Sequence, residues 1–576
     1  MGVSRVWAPF ARQVLMVVDG VHYPMEAAGG GWWFVESEAV RDGADYAFVL
    51  DGSHPLPDPR SPWQPSGVHG FSRAIDHGRF PWTDAGWQPP DLSKAVIYEL
   101  HMGTFSPEGT FDGAARLLDH LCSLGITHVE LMPVASFPGS RGWGYDGVDL
   151  FAPQETYGGP DGLKRLVDAC HAKGLAVILD VVYNHLGPEG NYLERFGPYF
   201  SNCYCSPWGK AVNLDGPGSD EVRRFFIDNA LMWLEHYHMD GLRLDAIHAL
   251  VDISAVHFLE ELATEVRALE GRLGRSLVLI AESNLNNPRV VEPPETGGFG
   301  IDAQWSDDFH HALHAYLTGE RNGYYADFGS LGDIAKALQG VFVLDGGYSV
   351  FRGRRHGRKV RDLNGHRFLG YLQTHDQVGN RARGERAGQL MSLSRLMAAS
   401  ALVLTSPFVP MIFQGEEWAA SSPFLYFMDH QDEALRRAVA EGRRAEFASF
   451  GWRPEDIPDP GAEETYLSSK LSWDELDREP HRSVLSWYRS LITLRRSTPE
   501  LQDGALRGLR VEYDEDRQLL VVQRGRIVVA CNISGEPLTL DLPEGGGTLL
   551  LASRPDADLH GRTLFLPAEV TAVASL

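Results

Sequence analysis

Four stretches of the sequence end an apolar run in residues able to do acid–base or ionic work. Ala176–His185 reads AVILDVVYNH and Gly241–His248 reads GLRLDAIH. Leu279–Asn284 reads LIAESN and Gly370–Asn380 reads GYLQTHDQVGN. Carboxyl groups in such a set suit the breaking of an acetal. That reaction needs a proton on the leaving oxygen and stabilisation of an oxocarbenium-like carbon; two carboxyl groups supply both, about 5 Å apart in retaining enzymes. One Asp after a strand is more often a helix cap or a turn former. Four such endings in order shift the balance towards one shared site.

Something must bring these endings together. From about residue 94, apolar runs alternate with amphipathic stretches. Strands are expected at Val96–Leu100, Val129–Val134, Ala176–Val182, Gly241–Ile247, Val278–Ala281, Phe368–Leu372 and Val409–Phe413. Helices are expected between them, as at Ala114–Leu124 and Leu163–Lys173. Repeated strand–helix units over roughly 400 residues favour an α/β fold with a closed (β/α)8 barrel, whose active site lies at the C-terminal strand ends. A doubly wound open sheet is the structural alternative. Short β-strands precede this region, at Gln13–Val18, Trp32–Val35 and Tyr46–Leu50, and the Pro-rich segment 55–90 reads as a connection. Further strand-like pieces follow residue 500 and suggest a C-terminal sandwich. The expected division is an N-terminal β-sandwich over 1–90, the barrel over 91–498 and a C-terminal β-sandwich over 499–576.

The four stretches resemble the signature regions of the α-amylase family of glycoside hydrolases. The resemblance implies roles residue by residue. In DVVYNH (180–185) the terminal Asn and His border the site, which places His185 there. In GLRLD (241–245) Asp245 is the nucleophile and Arg243 orients it. In AES, Glu282 is the general acid/base. His375 and Asp376 hold sugar hydroxyls at the bond being broken, with Gln377 beside them. Tyr145 in GWGYDG is expected to stack under the sugar that is cleaved.

Other segments resemble one branch of that family. Val6–Pro9 (VWAP) and Ala95–Phe105 (AVIYELHMGTF) fit branching enzymes, isoamylases and trehalohydrolases. Asn184–Leu193, Phe196–Phe200, Gln304–His314 and Phe413–His430 are similar to the maltooligosyltrehalose trehalohydrolases. This implies hydrolysis of the α-1,4 bond next to a terminal α,α-trehalose, with maltooligosyltrehalose or a related α-glucan as partner. A glycogen branching enzyme or a catalytically dead glucan-binding protein are the competing readings. The scissile bond is an ordinary α-1,4 link, so specificity must come from hydroxyl partners on the leaving side. His248, Asp307, Asp308, His310 and His311 are the candidates for that role. Glu416 and Glu417 are weighed as pocket walls, with a structural role for Glu417 equally open.

Two other motifs are set aside. Gly142, Gly144 and Gly147 satisfy GxGxxG, but Trp143 and Tyr145 crowd the loop and Pro153 stands where a helix should run. His310 and His314 share helical spacing without the glutamate of HExxH. No metal and no cofactor is expected. Trp208 in SPWG reads equally as a sugar platform or a core residue. The chain has 52 Lys+Arg against 77 Asp+Glu, a net charge of −25, which argues against nucleic acid or an anionic membrane as partner. Five cysteines, an odd number without CxxC spacing, make no disulfide framework and point to the cytoplasm. No leader pattern opens the sequence.

Overall fold

The structure is a computed structural model that describes residues 2–448, 453, 456–542 and 547–576. Its centre is a closed barrel of eight parallel strands. In chain order these are β1 (Ile97–Leu100), β2 (His128–Leu131), β3 (Ala176–Val181), β4 (Gly241–Leu244), β5 (Val278–Ala281), β6 (Ala303–Trp305), β7 (Phe368–Tyr371) and β8 (Val409–Phe413). Each pairs with the next, and β8 pairs with β1 to close the ring. The sequence anticipates seven of these strands. The eighth, β6, has only three residues and overlaps the start of Gln304–His314.

Period-two alternation divides the strands between two cores. Ile97, Ile178, Ile280, Leu369, Val409 and Met411 fill the barrel interior. Tyr98, Val129, Leu131, Val177, Leu179, Leu242 and Leu244 face outward into the main core, under the helices. Both faces are buried, so the strands read as continuous apolar runs. Near the upper rim the interior turns polar. Glu99 pairs across from Glu130, and Asp180 pairs across from Arg243. Those side chains form the floor of the site.

Gly159–Ala172, Ser219–His236 and Phe258–Leu273 are helices of the outer ring. The expected helix over Ala114–Leu124 is broken in two, Phe111–Ala115 and Leu118–Leu124. Before the barrel lie two antiparallel sheets. One joins Gly2–Trp7, Trp32–Ser37 and Glu26–Gly29; the other joins Val21–Pro24, Val14–Val18, Asp45–Leu50 and Ser72–Arg73. The Pro-rich segment is therefore not connection alone. Ser72–Arg73 adds an edge strand, and Leu56 bridges to Phe48. Proline tolerates such edges because no ladder donor is needed there. After the barrel, sheets of five and three strands form the C-terminal part.

Candidate active site

The site is organised around one guanidinium. Arg243 leaves β4 into the barrel interior and is fully buried. Its Nη1 donates to Asp180 Oδ2 at 2.7 Å and to Asp245 Oδ1 at 2.8 Å. Its Nη2 lies 2.9 Å from Glu282 Oε2. The guanidinium carbon sits 4.2 Å from the centre of the Trp305 ring, a cation–π contact in a water-poor setting. Trp305 is the last residue of β6. The short strand thus supplies the wall against which the cation lies.

Local backbone aims the two carboxyl groups. Asp245 follows β4 directly, and Asn184 Nδ2 donates to its Oδ2 at 2.7 Å. The next residue, Ala246, has φ +39°, a left-handed conformation uncommon outside glycine. That turn points the Ala246 N–H at Glu282 Oε2, 2.7 Å away, while the Ile247 N–H reaches Glu282 O. The ends of β4 and β5 are stitched together at the positions where chemistry is expected.

These contacts set the two carboxyl groups apart electrostatically. Burial alone would raise Asp245, but Arg243, with His185 and the Asn184 amide, holds it below the usual carboxylate range. Glu282 goes well up, through burial first and then the charges of Asp245, Asp376 and Asp307, with Arg243 opposing. One carboxylate ionised beside one carboxylic acid is the pattern of a nucleophile and a proton donor.

His375 and Tyr145 complete the wall. The His375 Nδ1 lies 2.5 Å from Glu99 Oε1, and its backbone N–H donates to the other Glu99 oxygen. Burial would lower this imidazole. Glu99 and then Asp376 overcome that and raise it to about 9, so it is a cation at neutral pH. Tyr145 O–H donates to Asp180 Oδ2 at 2.6 Å, with His375 Nε2 2.8 Å away, and the two rings stack at 5.1 Å between centres. The loop that carries Tyr145 depends on Gly144, at φ +99°. A Cβ there would lie 2.1 Å from Pro133 O. Gly144 serves this bend and no dinucleotide cradle.

Asp376 follows His375 in a short helix and is more than a third exposed, open to the cleft. His185 stacks under Trp208 at 5.1 Å, and Trp208 is half exposed at the rim. Asp307 accepts from Tyr371 O–H at 2.6 Å and is pushed up to about 6 by burial. His248 is half-buried, with Nδ1 unpartnered, and burial lowers its pKa.

Relatives that match nearly the whole chain show what this geometry belongs to. The family "Alpha amylase, catalytic domain" matches residues 71–202, and a "Domain of unknown function (DUF3459)" matches 504–573. The malto-oligosyltrehalose trehalohydrolase of Rhizobium sp. (strain M-11) is 49% identical over 581 residues, covering 99% of this chain and 97% of the relative. Its namesake from Arthrobacter ramosus is 50% identical over 550 residues, 95% of each. The chain belongs to the malto-oligosyltrehalose trehalohydrolase family. Among solved structures, a putative alpha amylase from Salmonella typhimurium superposes with a TM-score of 0.91 at 38% identity, covering 100% of this chain and 97% of that one.

In this trehalohydrolase-family chain several expected residues are engaged by contacts within the protein. His310 is fully buried, with Nδ1 on Leu372 O and Nε2 on Tyr325 O–H, so neither ring nitrogen is left for a sugar. Asp308 accepts from Asn286 Nδ2 and the Leu344 N–H through the same oxygen, and pins a loop. Gln377 Oε1 accepts from the Thr374 N–H and O–H, both at 2.7 Å, and caps the helix that presents His375 and Asp376. His311 packs among Tyr324, Tyr325 and Phe328. Glu417 is fully buried between Tyr98 O–H and His120 Nε2, and Glu416 takes the Tyr488 O–H. Neither glutamate is a pocket wall. Among the described residues there is no group of three or more His, Cys, Asp or Glu that could hold a metal ion.

Sequence reasoning missed Glu99, Asp180 and Trp305 as parts of the site. Glu99 sits in AVIYELH, where it reads as one polar residue in a strand. The usable signal is that a barrel strand alternates, so a charged residue on its inward face must find a partner.

Proposed function

We propose that the protein hydrolyses the α-1,4 bond adjoining the terminal α,α-trehalose of maltooligosyltrehalose and releases trehalose, with retention of configuration. One observation carries the chemistry: Arg243 bridges Asp245 and Glu282 while their surroundings drive the two carboxyl groups in opposite directions. Asp245 attacks the anomeric carbon. Glu282 gives its proton to the departing oxygen of the trehalose unit, leaving a glycosyl ester on Asp245. Water then attacks the anomeric carbon, Glu282 takes back a proton, and the Asp245 carboxylate departs. Asp376, more open than the other two, grips hydroxyls of the distorted sugar, with Tyr145 and His375 beneath it. Asp307 and His248 are placed to meet the leaving disaccharide.

The relatives' names support trehalose as the product. The domain limits 1–90, 91–498 and 499–576 belong to the same proposal. The protein works in the cytoplasm on glucan, without nucleic acid or membrane as partner; among the described residues no helix is long and apolar enough to cross a membrane. The test is product analysis on maltooligosyltrehalose and amylose. Trehalose release, abolished in Asp245→Ala, is expected. Changed iodine staining of amylose without new reducing ends would instead indicate a branching transferase.

A further inference from the structure

The opposite end of the barrel carries a second cleft, of about 540 Å³. Lys94 precedes β1, Thr127 precedes β2 and Lys173 precedes β3, so its walls stand at the N-terminal strand ends, away from the catalytic carboxylates. Helix His481–Ser497 brings Arg495 and Arg496 to the same space, and Gln502 follows. Four cationic side chains line it. No Asp or Glu among the described residues does. In a chain of net charge −25 this is the reverse of what random placement would give.

The charge is also poorly compensated from behind. Arg495 is 2% exposed and Arg524, next to it, is 6% exposed. Arg495 donates to the carbonyls of Leu404, Ser406 and Phe408; Arg524 donates to those of Thr405, Ser406, Leu501 and Asp503. Among the described residues every hydrogen-bond partner of these two guanidinium groups is a backbone oxygen. Some belong to the C-terminus of helix Leu393–Leu404, whose dipole offers roughly half a negative charge. Two buried guanidinium groups exceed that. Arg495 falls to about 9, through burial and then Arg524; Arg524 falls to about 10 through burial, with Asp503 opposing. Of the outer cations, Lys173 pairs with Asp119, which is 84% exposed, so solvent screens that pair. Among the described residues the Arg496 side chain donates to the Gly125 carbonyl alone. Lys94 makes no ion pair among the described residues, and Asp91, in electrostatic range, lines a different cavity. Burial raises the Cys122 thiol on the same wall, with Lys173 opposing.

We propose that this cleft binds the phosphoryl group of a small phosphorylated ligand. A dianion matches an excess of more than one positive charge, which a lone carboxylate does not. The volume lies in the range of small-molecule sites. Focused positive potential in a low-dielectric cleft raises local anion concentration.

Titration calorimetry on the full chain tests this, with inorganic phosphate and glucose 6-phosphate as probes and sodium chloride at matched ionic strength as control. Saturable one-to-one binding is expected for both. The Lys94→Glu/Arg496→Glu pair is expected to weaken it by about tenfold or more, because two charge-assisted contacts are reversed. Tighter binding of glucose 6-phosphate would show that the sugar is read as well; equal binding would show that the phosphoryl group alone is. Melting curves without phosphate establish that the double variant folds, and the single alanine variants at Lys94 and Arg496 serve if it does not. Heats that do not saturate, chloride competing as well as phosphate, or unchanged affinity in the variants would each overturn the site.

Discussion

Glu99 on β1 holds His375 beyond β7 through its two carboxylate oxygens, one on the imidazole Nδ1 at 2.5 Å and one on the backbone N–H at 3.1 Å. The imidazole is thereby fixed in place and charged, with its Nε2 left facing Tyr145 and the cleft. Raised from 6.5 to about 9, it links stability to pH. A raised folded-state value means that the stabilisation is fully present below pH 6.5 and is lost as pH rises through 9. Glu99→Gln is expected to destabilise the protein by on the order of 3 kcal/mol at low pH. The deficit relative to wild type shrinks across that window. Denaturant unfolding at several pH values measures it, and a deficit independent of pH would refute the charged imidazole.

Arg243→Lys keeps the charge and loses the fork. A single ammonium cannot reach Asp180, Asp245 and Glu282 together, nor lie flat on Trp305 as the guanidinium does. Turnover is expected to fall by about 100-fold or more, since the transition-state charge is no longer met by a fixed cation. The midpoint of thermal unfolding should fall as well. Steady-state kinetics with near-wild-type turnover in Arg243→Lys would mean that the cation serves folding only.

Much of this was legible in the sequence, and the reason lies in how a barrel presents its site. Asp245 and Glu282 directly follow buried, mainly apolar strands, and His375 and Asp376 come a few residues beyond another, where the cleft begins. The parts that escaped reading lie inside strands or depend on distant partners. Glu99 is embedded in β1, and its partner is 276 residues away. Strand β6 is too short to show alternation. His310 and Asp308 share a helix with Asp307, yet the helix turns them towards Leu372 and Leu344 and away from the cleft. Spacing could not say which face that helix would bury.

The rate should depend on pH as a bell. Asp245, held below its ordinary 3.8, sets the acid limb, and Glu282, raised well above its ordinary 4.5, sets the alkaline limb. Glu282→Gln is expected to lower turnover on maltooligosyltrehalose by about 10²–10⁴-fold and to erase the alkaline limb from what remains. With α-maltosyl fluoride, whose leaving group needs little protonation, formation of the glycosyl-enzyme should recover most of its rate. A variant equally impaired on both substrates would deny Glu282 the role of acid.

Gly144→Ala tests whether the aromatic loop is held by backbone fit. At φ +99° an added Cβ would sit 2.1 Å from Pro133 O, a backbone atom that cannot swing aside as a side chain can. The loop must shift, and Tyr145 with it, away from Asp180 and His375. Loss of stability of about 1–3 kcal/mol is expected, from strain at a position that L-residues rarely occupy. Turnover should fall further than in Tyr145→Phe, which deletes the hydroxyl contacts but keeps the ring under the sugar. Comparing kcat and KM for the two variants separates the effects. If Gly144→Ala were no worse than Tyr145→Phe in turnover, the ring's position would not matter and the hydroxyl alone would explain Tyr145.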